Sequence, residues 1–185
     1  MGPRLVIFGR QGAGKGTQCA VLVEHYGAVH VSTGDMLREA VAAGTEFGAQ
    51  AQTFMDAGQL LPDEVMVGVV RERLTADDVA DAGFLLDGFP RTLPQAEALC
   101  ALVEVDLAIN LEVDEAIVRE RMLARGRGDD TPEAIEERLS AYANQTVPAI
   151  AWFGSRGILV TVDGAGSPEE VSARLVAAID DRLGA

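Results

Sequence analysis

Gly9-Arg10-Gln11-Gly12-Ala13-Gly14-Lys15-Gly16-Thr17 is the stretch whose reading decides the fold. Arg4-Leu5-Val6-Ile7-Phe8 leads into it, short, apolar and rich in branched and aromatic side chains, as a buried strand requires. Residues 18–26 follow, with Val21, Leu22 and Tyr26 at helical spacing. Strand, glycine loop and helix together are the setting in which a glycine-rich stretch binds phosphate. The glycines let successive N–H groups turn inward, and the helix N-terminus adds partial positive charge. Lys15 is the only lysine in the chain, the other fourteen of its fifteen basic residues being arginine. That single compact ammonium falls where terminal phosphates would be held. The strict loop pattern has Ser or Thr directly after the lysine. Here Gly16 intervenes and the hydroxyl comes one place later, at Thr17.

Working outward, 185 residues suit one domain with a sizeable core. Twenty-nine acids against fifteen bases leave a net charge of −14, which argues against a nucleic-acid polymer or an anionic membrane as partner. A phosphate site in such a chain has to concentrate its positive charge locally. Cys19 and Cys100 form no CxxC pair and read as buried reduced thiols rather than a disulfide. No apolar run reaches the roughly 18 residues of a membrane span, and residues 1–8 read as a strand rather than a signal peptide. The expectation is a cytoplasmic protein.

Along the chain, residues 28–32 read as a second strand, with Ser32 or Thr33 capping the helix that carries Asp35 and Arg38. His30, between two valines, reads as a core or strand-end residue rather than a metal ligand. Arg38 lies one helical turn past a strand's C-terminal end, where ligands gather in open α/β sheets. Residues 45–57 and 62–74 read as two helices with no strand between them, either a flap or an inserted hairpin. Residues 83–87 form a third strand ending in Asp87, followed by Gly88-Phe89-Pro90-Arg91. A carboxylate there is costly unless it faces a cation, and near a phosphate loop the natural one is Mg²⁺, held directly or through water. Pro90 stiffens the loop that aims Arg91.

A helix over residues 93–103 and a strand over 107–113 lead to a helix bearing Arg119, Arg121 and Arg125. From Arg119 to Arg127 there are four arginines and one acid, a +3 island in an acidic chain. Gly126-Arg127-Gly128-Asp129-Asp130 follows as a short turn, after which a long helix resumes near Thr131 with Arg138 on it. Trp152 and Phe153 read as packing residues, residues 157–163 as the fifth strand, and Ser167-Pro168-Glu169-Glu170 as the start of the last helix. Five strands alternating with helices imply an α/β, three-layer P-loop fold with a five-stranded parallel sheet and helices on both faces.

These motifs, taken in order, resemble the adenylate kinase family, in particular bacterial members with a short lid. The resemblance runs over essentially the full chain. It is carried by Gly12-Ala13-Gly14-Lys15-Gly16-Thr17-Gln18, Ser32-Thr33-Gly34-Asp35-Met36-Leu37-Arg38, Leu86-Asp87-Gly88-Phe89-Pro90-Arg91-Thr92, Arg125-Gly126-Arg127 and Arg138. The resemblance implies reversible Mg-dependent transfer of the terminal phosphoryl group from ATP to AMP, giving two ADP and balancing the adenine nucleotides. It implies that Gly12, Ala13, Gly14, Lys15, Gly16, Thr17, Arg121 and Gly166 meet ATP. Thr33, Arg38, Gln59, Leu60, Leu61, Gly88, Arg91, Gln95, Arg127 and Arg138 would meet AMP. Lys15, Asp87, Arg91, Arg125, Arg127 and Arg138 would carry the chemistry, with Mg²⁺ near Thr17 and Asp87 through water and no direct protein ligand. One kinase domain would span residues 1–185, with an AMP-binding helical insertion at about 32–61 and a short lid at about 125–131. Monomeric state and absence of zinc are further family expectations, since the short lid has no room for a Cys-ligated metal. The chain departs from the family at Gln11, where proline is usual. A pyrimidine monophosphate kinase of the same fold is the nearest rival, disfavoured by Thr33 with Gln95. A non-catalytic nucleotide switch would leave Arg38, Arg91 and Arg138 unexplained.

Overall fold

Strands β1 (Arg4–Phe8), β2 (Val29–Ser32), β3 (Phe84–Asp87), β4 (Leu107–Glu112) and β5 (Leu159–Asp163) are all paired in parallel, in the order β2-β3-β1-β4-β5. The structure is a computed structural model that describes residues 2–127 and 130–184. Gly128 and Asp129, within the turn read above as the lid, lie outside the described residues, as do Met1 and Ala185. β1 is central because its side chains are apolar on both faces, as a strand covered on both sides must be. Leu5 and Ile7 share one buried cluster with Leu85, Leu107 and Ile109; Val6 and Phe8 share the other with Leu86 and Ala108. The alternation is the period-two geometry of a strand.

Against the first cluster pack Cys19 and Leu22 of α1 (Lys15–Tyr26), Val118 and Met122 of α7 (Glu115–Arg125), and Val171, Leu175 and Ile179 of α10 (Pro168–Leu183). The second cluster takes apolar residues from α2 (Thr33–Ala42), α3 (Glu46–Asp56), α4 (Asp63–Leu74), α5 (Asp77–Ala82), α6 (Leu93–Leu102) and α9 (Val147–Ser155). Helix starts follow local chemistry. The side chains of Ser32, Thr45, Thr92 and Thr131 accept from backbone N–H groups two or three residues into α2, α3, α6 and α8 (Pro132–Ala141). Ser167 and Glu170 form a reciprocal capping box on α10.

Two elements depart from the sequence reading. Helix α5 is only six residues long, too short to leave a periodic signature. The long helix after Thr131 is broken by a π-helical turn over Tyr142–Thr146, so Pro148 falls in the first turn of α9, where its missing N–H costs nothing. Phe153 is fully buried, its ring 5.5 Å from Phe8 and edge-on to Trp152. Phe153→Ala should lower stability by ~3–5 kcal/mol, read as a drop in the denaturant midpoint with an unchanged slope.

Candidate active site

The crevice lies at the C-terminal ends of β1, β2 and β3, where the connection after β1 runs to one side of the sheet and that after β3 to the other. It encloses about 560 Å³. One end is the glycine loop. The N–H of Ala13 donates to the carbonyl of Arg10 at 3.1 Å, and Lys15 folds back so that its Nζ donates to the carbonyls of Gly9 at 2.8 Å and Arg10 at 3.3 Å. Gly12 adopts φ +85°, and a Cβ there would stand 2.6 Å from the carbonyl oxygen of Val118. Glycine is therefore required both by the turn and by the approach of α7. Arg121 on α7 donates to the carbonyl of Gly12 at 3.4 Å, closing the loop from above. The Thr17 residue is exposed and lines the crevice.

The other end is built on the loop after β3. Gly88 has φ +83°, and a Cβ would meet Thr33 Oγ1 at 2.6 Å. The Arg91 guanidinium donates to the Gly88 carbonyl at 2.7 Å, and its backbone N–H donates to Gln95 Oε1 at 2.7 Å. Gln95 is fixed in turn: its amide donates to Asp63 Oδ1 at 2.7 Å, and the Thr92 hydroxyl donates to the same oxygen at 2.9 Å. Thr146, in the π-helical turn, donates to the Arg91 carbonyl at 2.9 Å. Arg38 pairs with Asp35 at 2.5 Å.

Between the two ends stand Arg125 at the end of α7, Arg127 just after it, and Arg138 on α8. Asp130 collects them: its carboxylate accepts from Arg125 at 2.8 and 2.9 Å, from Arg138 at 2.9 Å and from the Arg127 backbone at 3.3 Å. Arg138 also donates to the Met55 carbonyl at 3.1 Å, tying α8 to the end of α3. Arg119, read from sequence as part of the same island, instead faces away and pairs with Glu115 and Glu136.

Among the described residues lining the crevice, seven are cationic (Lys15, Arg38, Arg91, Arg121, Arg125, Arg127, Arg138) and two acidic (Asp35, Asp87). This reverses the sign of the chain as a whole. Burial pulls the Lys15 ammonium below the ordinary lysine range while Asp87 acts the other way, and burial lowers Arg91 too, with Arg138 and Arg38 adding to the effect. Crowded like charges repel and are costly to bury, and the carboxylates of Asp35 and Asp130 answer only part of this charge, so the crevice favours an anionic ligand.

Every residue expected at the site lines this crevice except Ala13, buried beneath the loop, and Gly166, which sits against Glu170 and Arg174 instead. Cys19 is buried and Cys100 half-buried, both free thiols. Four contributors went unread: Asp63, Thr146, Asp130, and Arg10, whose guanidinium stacks on Tyr142 at 5.1 Å. Asp130 followed an arginine cluster and could have been named as its counter-charge. Asp63 carried no such signal, because its partners lie 29 and 32 residues away.

A phosphate loop after the central strand, opposite a second set of guanidiniums in one crevice, defines a P-loop phosphotransferase. The family model described as adenylate kinase matches residues 7–158. Adenylate kinase from Stenotrophomonas maltophilia strain K279a is 46% identical over 95% of this chain and 98% of its own length. The enzyme so named from Nitrobacter winogradskyi is 47% identical over 91% and 89%, and that from Corynebacterium diphtheriae 46% over 95% and 98%. The chain belongs to the adenylate kinase family.

Burial of the Asp130 carboxyl works against its ionisation, but hydrogen bonds and charge from Arg125, with help from Arg127 and Arg138, hold it below the usual carboxylate range. A carboxyl depressed in the fold contributes stability that is present above its unfolded value, near ~3.9, and is lost as pH falls through the folded value. Acid titration of Asp130→Asn should therefore show a flatter stability limb below pH ~4 than the parent, followed by circular dichroism.

Proposed function

We propose that this chain moves the terminal phosphoryl group of ATP to AMP, reversibly and with magnesium, yielding two ADP and balancing the adenine nucleotides. The observation that carries this reading is the pair of cationic clusters in one crevice, Lys15 with the loop glycines at one end and Arg38 with Arg91 at the other. An ATP-binding switch would need only the first. The loop N–H groups and Lys15 hold the ATP phosphates, and Arg121 covers them. Thr33, Arg38, Gly88, Arg91 and Gln95, with residues 59–61, hold AMP, so residues 32–61 act as an AMP-binding insertion. Gln95, braced by Asp63, has an amide edge suited to a purine base.

The AMP phosphate is already an anion at neutral pH, so no general base is required. One of its oxygens forms a bond to the γ-phosphorus as the bond from that phosphorus to the bridging β–γ oxygen breaks, and ADP leaves on either side. The task for the protein is alignment and charge neutralisation of two polyanions, which is the dominant contribution in phosphoryl transfer. Arg125 and Arg138 exchange Asp130 for phosphate oxygens, Arg127 joins them at the transferring group, and residues 125–131 act as the short lid that excludes water.

Magnesium fits the residues present: Asp87 Oδ1 is buried at the end of β3 without a hydrogen-bond partner among the described residues, and Thr17 lies exposed along the same crevice. Bound with ATP, the ion supplies charge neutralisation at the phosphates. No zinc is required in the lid, because Cys19 and Cys100 belong to α1 and α6. The same reading takes the chain as a cytoplasmic monomer; the net charge of −14 disfavours anionic membranes and nucleic acids, and among the described residues no helix is long and apolar enough to cross a membrane.

A coupled assay offering AMP, UMP and CMP should give turnover with AMP far above the other two. Strong UMP turnover with none for AMP would replace the substrate assignment. Arg38→Ala should weaken AMP binding by about tenfold to a hundredfold, the value of one lost charge-assisted hydrogen-bonding group, while leaving ATP binding within about twofold in calorimetric titration.

A further inference from the structure

Cys19, His30 and Asp87 come from three elements and were read from sequence separately, His30 as a strand-end residue. The structure brings one donor atom of each within 4.8 Å of the others. The sheet register explains the meeting. His30 stands opposite Leu85, and Asp87 lies two residues further along β3, so both side chains share the face of Leu85. Leu85 and Cys19 belong to one buried cluster, which puts α1 on that face with its Cys19 thiol in the floor.

Two of the three donors are unused. His30 Nε2 and Asp87 Oδ1 are buried polar atoms without hydrogen-bond partners among the described residues. The closest approach of His30 Nε2 to the Asp87 carboxylate is 4.0 Å, beyond hydrogen-bonding range. Unsatisfied buried polar atoms are uncommon, and a shared ligand is one physical reason for them. His30 and Asp87 both line the crevice, which gives an ion a path in.

We propose that Cys19, His30 and Asp87 form a site for a borderline-soft divalent cation, zinc above all, and that filling it shuts the enzyme by engaging the Asp87 carboxylate. Thiol sulfur, imidazole nitrogen and carboxylate oxygen are the donors zinc combines, whereas magnesium takes oxygen donors and leaves sulfur aside. Three protein ligands leave a fourth position for water. Bonds of ~2.0–2.3 Å put tetrahedral donors about 3.5 Å apart, so the three must close by about 1 Å, within reach of His30 and Asp87 side-chain rotation. As the sulfur–metal bond forms, the thiol proton leaves to solvent. Lys15 shares the field of Asp87 and opposes the ion, which makes this a site filled by excess metal rather than a resident one.

Binding at the site does not depend on the phosphoryl-transfer reading, but the shut-off does, through Asp87. The test uses the full chain with Co²⁺ as a spectroscopic probe in place of zinc. The parent should develop a thiolate-to-cobalt charge-transfer band that added Zn²⁺ abolishes. The band should be lost in Cys19→Ser, weakened at least tenfold in apparent affinity in His30→Gln, and kept in Cys100→Ser. His30→Gln alters a partly exposed strand residue and preserves the fold if the buried Cys19→Ser does not. Absence of the band in the parent, its survival in folded Cys19→Ser, or its loss only in Cys100→Ser overturns the site. In the ATP-plus-AMP assay with excess Mg²⁺, Zn²⁺ should inhibit the parent reversibly on chelation and inhibit His30→Gln at least tenfold less. A parent that shows the band yet turns over equally with and without Zn²⁺ keeps the site and overturns the shut-off.

Discussion

Electrostatic crowding at the C-terminal edge of a parallel sheet is the constraint on which the rest of this structure depends. Among the described residues, seven cations line one crevice in a chain of net charge −14, and burial of Lys15 and Arg91 already disfavours their charged forms. Such an arrangement persists because the backbone answers it. The carbonyls of Gly9, Arg10 and Gly88 accept from Lys15 and Arg91, neutral oxygens that an anion can outbid, and the Met55 carbonyl shares Arg138 with Asp130. Among the described residues, carboxylates meet these cations sparingly: Asp35 and Asp130 pair with guanidiniums, and Asp87 lies in the field of Lys15 and Arg91.

That economy connects packing to motion. Asp130 gathers Arg125, Arg138 and the Arg127 backbone just outside the crevice. On the proposed function, phosphate oxygens compete with a single carboxylate for the same guanidiniums, so closure is an exchange of partners rather than creation of new charge pairs. The glycine at 126, in the left-handed conformation at φ +62°, ends α7 and lets the chain turn back towards α8. The acceptor end is stiffer by comparison. Arg91 is gripped by Gly88, Gln95 and Thr146, and Gln95 by Asp63, so that end has few rotamers left to order when a ligand arrives.

The sequence by itself determined the loop, the strands and the family. Five short apolar runs, a glycine loop with the only lysine, and arginines at fixed offsets are local signals, read from period, turn chemistry and charge. Cap residues likewise announced where α2 and α10 begin. What only the tertiary structure decided are the meetings between distant residues. Asp63 reaches Gln95 across 32 positions, Thr146 reaches Arg91 across 55, and Cys19, His30 and Asp87 meet although each sits in an unremarkable local pattern. Arg119 and Arg121, two residues apart, were divided between solvent and crevice by the orientation of α7. The reason is that strand order and register are global properties. Nothing periodic in the chain specifies that β3 inserts between β2 and β1, yet that insertion sets Asp87 beside the phosphate loop and opposite Ser32.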